Sequence, residues 1–449
     1  MSEAAAPRRL VSGWPQTFVL LFAGQSVSLI GSVLTSFAIG VYVFRSTGSV
    51  TQFALLNLFN FVPQVVVPIV AGALADRYSR KWLMVICNVG GGLTTLLVAL
   101  FVAGGAMNVV VAYLATLLFS SFASMLGPAQ MASVPQLVPE QHLSRANGLV
   151  EFAISVSRFV SPLLGGVLVL TIGLGGIELI DFASYAFAIL TLAPLFIPQP
   201  KAEGEEEEEE SFFREVTDGL RHILPRPGLV GVLLFMAAFN LAAGFTLALA
   251  NPMVLSTMSA EQLGIVGGAG GLGLLAGSAL MTVWSGPKRP IHGLLGVGFA
   301  FGLIMALPAL GGGRLPFYAA WTFLVTVNAT IGNVASIVIW QTKVPGNLQG
   351  RVIGSATSIA FSTMLVAFLV AGPLAERVFG PLLMPGGALA GSVGAVIGVG
   401  PGRGIAFLLL LAGLFPLLGT LYGVLSPAVR NVDRTPWDPA AAVAEASPA

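Results

Sequence analysis

Charge is scarce in this sequence of 449 residues. Only 9% of the residues are charged, against about 25% in an ordinary soluble domain. The 20 acidic and 21 basic residues nearly cancel, so the net charge of +1 gives no reason to expect a nucleic-acid partner. The charges fall in a few short segments between apolar runs long enough to cross a bilayer. The sequence therefore indicates a polytopic helical protein whose surroundings are a lipid bilayer.

Cysteine and histidine are also scarce. The single cysteine, Cys87, excludes an intramolecular disulfide and a multi-cysteine metal site. The three histidines have no metal-ligand spacing, and no Gly-x-x-x-x-Gly-Lys-Ser/Thr stretch is present to hold a nucleotide. We therefore predict no catalytic residues, no metal and no cofactor, and we do not expect an enzyme.

Apolar runs of about 20 residues predict twelve transmembrane helices. They divide as six, a polar break, and six more, so the sequence predicts an all-α membrane protein built from two pseudo-symmetric six-helix bundles. The predicted spans lie near 15–44, 52–75, 82–103, 108–127, 148–172, 177–197, 228–250, 262–284, 291–311, 316–341, 352–371 and 404–425.

The remaining segments are predicted to lie outside the membrane. Residues 380–404 contain nine glycines and three prolines, which disfavours a thirteenth helix and predicts a long external loop over about 372–403. Under the positive-inside rule, sixteen Lys and Arg residues fall on the side of the N-terminus and four on the other. We therefore expect cytoplasmic N- and C-termini in a cell membrane, with residues 1–14 and 426–449 cytoplasmic and the tail from Ser426 disordered.

The middle of the chain is polar and separates the bundles at 15–197 and 228–425. Residues 198–227 contain six consecutive glutamates, which predict a solvated linker. Phe212, Val216, Leu220 and Ile223 follow at helical spacing and predict an amphipathic helix on the membrane surface.

The two halves of the sequence share a short motif. Val, Pro, Arg and Gly recur at one offset of 206 residues, in 138–148 and again in 344–354. This repeat is typical of transporters with two related halves.

A charged loop between spans 2 and 3 is the most diagnostic stretch. Its pattern, Gly-x-x-x-Asp-Arg-x-x-Arg-Lys over residues 72–81, resembles the signature of the major facilitator superfamily. Within that superfamily, Thr47-Gly48-Ser49 and Arg145-Ala-Asn147 make the chain similar to bacterial exporters that include macrolide and siderophore efflux proteins. The resemblance implies that Gly72, Asp76, Arg77, Arg80 and Lys81 form a conformational gate. Alternatively, the basic residues serve only to set the orientation of the chain in the membrane.

Span 5 contains a second motif of the same family. Pro162, Gly165 and Gly166 are similar to the Gly-Pro-x-x-Gly-Gly motif of its antiporters, with Ser161 in place of the first glycine. Proline bends a helix, and glycine lets a neighbouring helix approach. We add these three residues to the predicted gate.

Polar residues inside the spans are the candidates for substrate binding or coupling. Charged groups in a bilayer normally face a partner or a water-filled cavity, so Arg158 is expected there, paired with Glu151, Asp181 or neither. Glu151 and Asp181 are also the main candidate proton carriers. The uncharged candidates, which alternatively serve only to hold helices together, are Gln25, Ser28, Asn240, Asn328 and Asn333.

The sequence thus predicts a secondary transporter that acts as a monomer and exports a small molecule in exchange for protons. An importer or uniporter on the same fold is the alternative. A membrane-embedded enzyme or scramblase is a weaker one.

Overall fold

The computed structural model describes residues 14–77, 79–139, 142–197, 220–284, 289–345 and 348–435, and these ranges contain helices and no β-strand. Twelve helical segments within them are long and apolar enough to cross a membrane. This confirms the predicted all-α fold with twelve spans. The chain divides into two compact units, one of residues 1–48 and 56–205, the other of residues 49–55 and 206–449.

The first unit consists of six long helices. Around α6 pack α1, α3 and α5, and the core between them includes Met84, Cys87 and Leu192, all fully buried. The Asn108 side chain begins α4 by accepting hydrogen bonds from the backbone N–H groups of Val110 and Val111, at 3.0 and 3.1 Å. The helices are α1 (Trp14–Thr47), α2 (Val50–Arg77), α3 (Arg80–Ala103), α4 (Val109–Leu137), α5 (Leu143–Thr171) and α6 (Gly173–Leu192).

The second unit has longer connections and shorter helical pieces. Prolines stand in the first turns of α7, α9 and α11, where the missing N–H costs nothing. A capping box of Ser259 and Gln262 begins α8. The helices are α7 (Pro227–Leu255), α8 (Ala260–Val283), α9 (Pro290–Ile304), α10 (Leu307–Leu310), α11 (Leu315–Lys343), α12 (Gln349–Pro373), a π-helix (Leu374–Phe379), α13 (Gly380–Leu382), α14 (Val393–Ile397), α15 (Arg403–Ala412), α16 (Leu414–Leu425) and α17 (Pro427–Arg430).

The glycine-rich stretch after the eleventh span contains no thirteenth span, as predicted. The eleventh span does not end at 371 as predicted, because helix continues through the π-helix and α13 to Leu382, and the predicted loop over 372–403 is correspondingly shorter. The rest of the stretch is made of turns and the short helix α14. Gly398 and Gly402 have φ angles of 88° and 76°, in the left-handed region that residues with a side chain rarely adopt. A continuous helix cannot pass through these positions.

Two peripheral predictions need adjustment. Of the predicted amphipathic helix, Phe212 and Val216 lie outside the described residues, and Ile223 is fully buried in the core of the second unit instead of facing lipid. The prediction of disorder from Ser426 is wrong for residues 426–435, because α17 forms there and Val429 and Val432 are buried in the same core. Residues 426–435 contain only one proline and one alanine, and the burial of two valines favours an ordered segment there.

Candidate functional site

An amide pair joins α1 and α4 in the first unit. The Gln130 Nε2 donates a 2.7 Å hydrogen bond to the Gln25 Oε1, while the Gln25 Nε2 is buried without a partner among the described residues. Ser28, one turn further along α1, is buried as well. The predicted candidates Gln25 and Ser28 thus lie at a polar position inside the bundle, and Gln25 keeps a donor for a further acceptor.

Two carboxyl groups are fully buried where α6 faces α1. Glu178 and Asp181 have no exposed surface. The Ser184 Oγ lies 3.0 Å from the Asp181 Oδ1 and 2.7 Å from its backbone oxygen. Both Glu178 oxygens and the Asp181 Oδ2 have no hydrogen-bond partner in the described part of the chain. An unpaired carboxylate in such surroundings is strongly disfavoured, which favours the neutral acid.

A hydroxyl pair extends this polar cluster along α1. The Tyr185 hydroxyl and the Ser32 Oγ lie 2.9 Å apart, and the Ser32 Oγ donates to the Ser28 oxygen at 3.0 Å. Gly91 of α3 lies directly against the Tyr185 ring, where a Cβ would overlap it. Hydrogen bonds therefore run from the Tyr185 hydroxyl on α6 through the Ser32 hydroxyl to the backbone oxygen of Ser28 on α1.

Arg158 and Glu151 on α5 are both exposed. Arg158 forms no ion pair with Glu151 or Asp181, all three of which are described. Of the three predicted alternatives for Arg158, which were Glu151, Asp181 or neither, the structure agrees with the third.

The proline-glycine motif of α5 packs inside its own unit. A Cβ on Gly165 would overlap the Phe37 ring of α1, and the Ser161 Oγ donates a 3.0 Å hydrogen bond to the Ile30 oxygen. Gly166 is buried, and Pro162 lies inside the helix. The serine that replaces the family's glycine thus has a structural use, since it ties α5 to α1.

The predicted gate is only partly described. The backbone of α2 reaches Arg77, but the side chains of Gly72, Asp76 and Arg77 lie outside the described residues. Arg80 and Lys81 begin α3. The Lys81 Nζ donates to the backbone oxygens of Ala193 and Leu195, at 2.6 and 2.8 Å, and so caps the C-terminal end of α6.

The second unit places its predicted amides separately. The Asn240 Nδ2 donates to the Met236 oxygen of its own helix at 2.9 Å. Asn328 is buried with its Oδ1 unpartnered within the described ranges, and Asn333 is exposed. No contact joins these three residues to one another, so they are not brought together as one cluster in this structure.

Sequence reasoning missed an acid that binds the start of α2. Residues 49–55 belong to the second unit. There the Thr51 N–H donates to the Glu376 Oε1 at 3.1 Å, and the Thr51 hydroxyl donates to the Glu376 Oε2. A carboxylate at a helix N-terminus satisfies free N–H groups and interacts favourably with the helix dipole. A Cβ on Gly372 would overlap the Thr51 backbone, so a glycine is needed at this approach.

Sequence reasoning also missed the acid partner of Arg289. The loop from Gly277 to Pro290 has no acid of its own, but the Asp433 carboxylate accepts from the Arg289 Nε and Nη2 at 2.9 and 2.8 Å. The Lys343 Nζ donates to the Asp433 backbone oxygen at 2.6 Å. The hydrogen bond from Arg289 lowers the pKa of Asp433 below its usual value. The acid that this loop lacks is supplied from beyond the last span.

These features define a multi-pass helical membrane protein with two units of six spans each and polar groups inside both. A family model described as Major Facilitator Superfamily matches residues 21–367. The chain belongs to the major facilitator superfamily, and it is a transporter with relatives that act in efflux.

Individual relatives agree with this assignment. The chain is 25% identical to macrolide efflux protein A of Streptococcus pyogenes, over 82% of this chain and 91% of that protein. It is also 25% identical to the enterobactin exporter EntS of Escherichia coli O81 (strain ED1a), over 89% and 91%. A crystal structure of the nucleoside transporter NupG has the same fold, with a TM-score of 0.69 and 14% identity over 93% of this chain and 100% of that one.

Proposed function

We propose that the protein is a secondary active exporter of a moderately hydrophobic small molecule, driven by proton entry through alternating access. The observation that carries the direction of transport is the pair of efflux relatives, each matched over more than four-fifths of this chain. We further propose that it acts as a monomer in the cell membrane, with both termini cytoplasmic.

The polar groups of the first unit support a neutral or anionic substrate. The Gln25 Nε2 offers an unused donor beside Gln130, and Arg158 is exposed on α5 with a positive charge. Donors of this kind suit the hydroxyl, carbonyl or phenolate oxygens of a macrolide or a catecholate siderophore. The two fully buried carboxyl groups are the support for a coupling proton.

Transport into proteoliposomes with an imposed pH gradient tests this proposal. We expect a macrolide or a catecholate siderophore to accumulate against its gradient and to move protons in the opposite direction. Gln25→Leu should raise the KM for that probe about tenfold, because it removes the unused donor and one good hydrogen bond is worth about 1.4 kcal/mol. Gln64→Leu is the matched control, because the exposed Gln64 amide bonds to Asn60 of its own helix and, within the described ranges, to no residue of another helix.

Two outcomes would contradict the proposal. Movement of probe and protons in the same direction would instead indicate an importer. Absence of proton movement with any transported probe would indicate a uniporter.

The gate remains part of the proposal. We infer that Gly72, Asp76, Arg77, Arg80 and Lys81, with Pro162, Gly165 and Gly166, control the change between states. Asp76→Asn should slow transport while leaving substrate affinity and folding unchanged. Loss of the folded protein in that variant would indicate a purely structural role.

A further inference from the structure

We propose that Glu178 and Asp181 on α6, with the Thr35 hydroxyl on α1, form the proton-binding site of this transporter. The proposal rests on the proposed proton-coupled function and assigns its coupling step to particular residues. The coupling proton binds one of the two carboxylates as it becomes a neutral acid, and it leaves from the same oxygen when the site faces the other side.

The first argument is the spacing of the two acids. Residues three apart on a helix lie on the same face, and both side chains are fully buried. Two negative charges at this separation in an apolar core cannot both be held without a compensating cation. At least one of the two acids must therefore carry a proton in this state.

The second argument is the set of unsatisfied oxygens around the pair. The Thr35 hydroxyl approaches Asp181 but completes no hydrogen bond with a described residue, and it is almost fully buried. The Ser184 hydroxyl has one proton, which it can give either to the Asp181 Oδ1 or to the Asp181 backbone oxygen. Three of the four carboxyl oxygens of Glu178 and Asp181 thus accept no hydrogen bond from a described residue, and a proton bound to one of them lets that acid donate to a neighbouring oxygen.

The third argument is the lack of any basic group at the pair. Asp181 and Glu178 face each other, Thr35, Ser184 and Tyr185. On α1, α3 and α5, the helices that pack against α6, the other described titratable groups are exposed or bound elsewhere, with one exception. Arg45, Arg145, Glu151 and Arg158 are exposed, Lys81 caps the end of α6, Arg80 begins α3, and Tyr42 bonds to Met107. The exception is the thiol of Cys87, which interacts with Tyr185 and is not a cation. No cation therefore replaces the proton from these described side chains.

The position of the site on α1 links it to the amide pair. A Cβ on Gly31 would overlap the Asp181 Oδ1 and the Ser184 Oγ, so α1 approaches the carboxyl through a glycine. Gln25 lies six residues before Gly31, or about 9 Å along the helix. Proton binding at Asp181 and substrate binding at Gln25 thus act on the same helix, α1.

The test compares driven transport with passive exchange in proteoliposomes. We expect Asp181→Asn and Glu178→Gln to lower accumulation driven by a pH gradient at least tenfold. Exchange of labelled for unlabelled macrolide or siderophore, measured without a gradient, should stay within about twofold of wild type and lose its pH dependence. A merely structural role would lower both rates together and would overturn the proposal. Glu261→Gln is the matched control, because Glu261 is exposed at the start of α8.

A second measurement does not depend on transport. Infrared difference spectra between alkaline and acidic pH should contain the C=O stretch of a buried carboxylic acid in wild type, and Asp181→Asn or Glu178→Gln should remove or shift that band. An unchanged band in both variants contradicts the assignment. If Asp181→Asn does not fold, Glu178→Gln and Asp181→Glu give the same comparison, and the latter should retain driven transport.

The remaining outcomes separate this assignment from the proposed function. If wild type is driven by the pH gradient and both variants match it, only the assignment of the site is wrong. If a sodium gradient drives wild type and a pH gradient does not, the site binds sodium and the proton proposal fails. If neither gradient drives wild type while passive exchange occurs, the proposed function fails and the assignment fails with it.

Discussion

The two units treat their acidic residues in opposite ways. In the first unit, Glu178 and Asp181 are fully buried between helices, and most of their oxygens have no partner in the described part of the chain. In the second, Glu376 and Asp433 lie near the ends of helices, and each is bound by N–H or hydroxyl donors. The buried polar side chains of the second unit among the described residues are hydroxyls and one amide. The first unit thus buries two acids whose oxygens are mostly without partners, whereas Glu376 and Asp433 of the second unit fix helix ends.

The largest expected effect comes from the glycine beside Thr51. Gly372→Ala should destabilise the protein by about 2–3 kcal/mol, because the new methyl overlaps the Thr51 backbone, which cannot rotate away. Gly31→Ala is the matched change in the first unit and should cost less, since its methyl meets the side chains of Asp181 and Ser184. Thermal melting of the purified variants measures both. Equal losses would contradict this distinction.

Replacement of glutamate by methionine should raise the stability of the protein at Glu178 and lower it at Glu376. Glu178→Met should stabilise the protein by about 2 kcal/mol, because it keeps the volume and removes two buried oxygens that have no partner. Driven transport should be lost in this variant, as expected when a functional group is kept at a cost in stability. Melting temperature and proteoliposome transport are measured on the same preparation. A lower melting temperature would mean that Glu178 has bound partners.

At Glu376 we expect the methionine substitution to lower the free energy of unfolding by about 1 kcal/mol. Glu376→Met removes the acceptor for the Thr51 N–H and hydroxyl at the start of α2, and losing a helix cap costs about that much. Glu376→Gln keeps one oxygen acceptor and should cost less than Glu376→Met. Chemical denaturation of all three proteins in one detergent gives the comparison. A gain in stability on Glu376→Met would remove the contrast between the units.

The smallest expected effect is a change in pH dependence at the C-terminal segment. Arg289 lowers the pKa of Asp433 from its usual value of 3.8, so Asp433 binds protons less readily in the folded than in the unfolded protein. Its contribution is complete above pH 3.8 and is lost as the pH falls through the lower folded value. The protection factors of residues 427–435, which correct the exchange rates for the intrinsic pH dependence of amide exchange, should therefore be constant near neutral pH and fall in acid. Asp433→Asn should lower these protection factors at neutral pH and make them independent of pH in that acidic range, whereas Glu261→Gln should leave them unchanged.

The number of spans could be predicted from the sequence because the thickness of a bilayer requires an apolar run of a minimum length for each span, and such runs are easily recognised. The sequence predicted the absence of a thirteenth span for a similar reason, since glycines such as Gly398 and Gly402 oppose helices wherever they lie. Asp181 was found because a charged residue inside a span is costly, although the predicted span placed it only one turn from its start. These signals are local, and each can be read without knowing which helices are neighbours.

The missed features depend on helix ends and on distant contacts. Span 6 was predicted to begin at 177, which placed Glu178 at the membrane boundary, but α6 begins at Gly173 and carries Glu178 into the bundle. Span 4 was predicted to end at 127, whereas α4 continues to Leu137 and so includes Gln130, the partner of Gln25. The partners Thr51 and Glu376 are 325 residues apart. No periodicity in the sequence connects positions so far apart.

The ion pair of Arg289 with Asp433 also has a consequence for biogenesis. Asp433 follows Arg289 by 144 residues and lies beyond the last span, which ends at Leu425. At typical translation rates, Asp433 is synthesised on the order of ten seconds after Arg289. The pair can close only after the twelfth span has emerged from the ribosome. A nascent chain that stalls or is truncated before Asp433 therefore leaves Arg289 and Lys343 without these contacts.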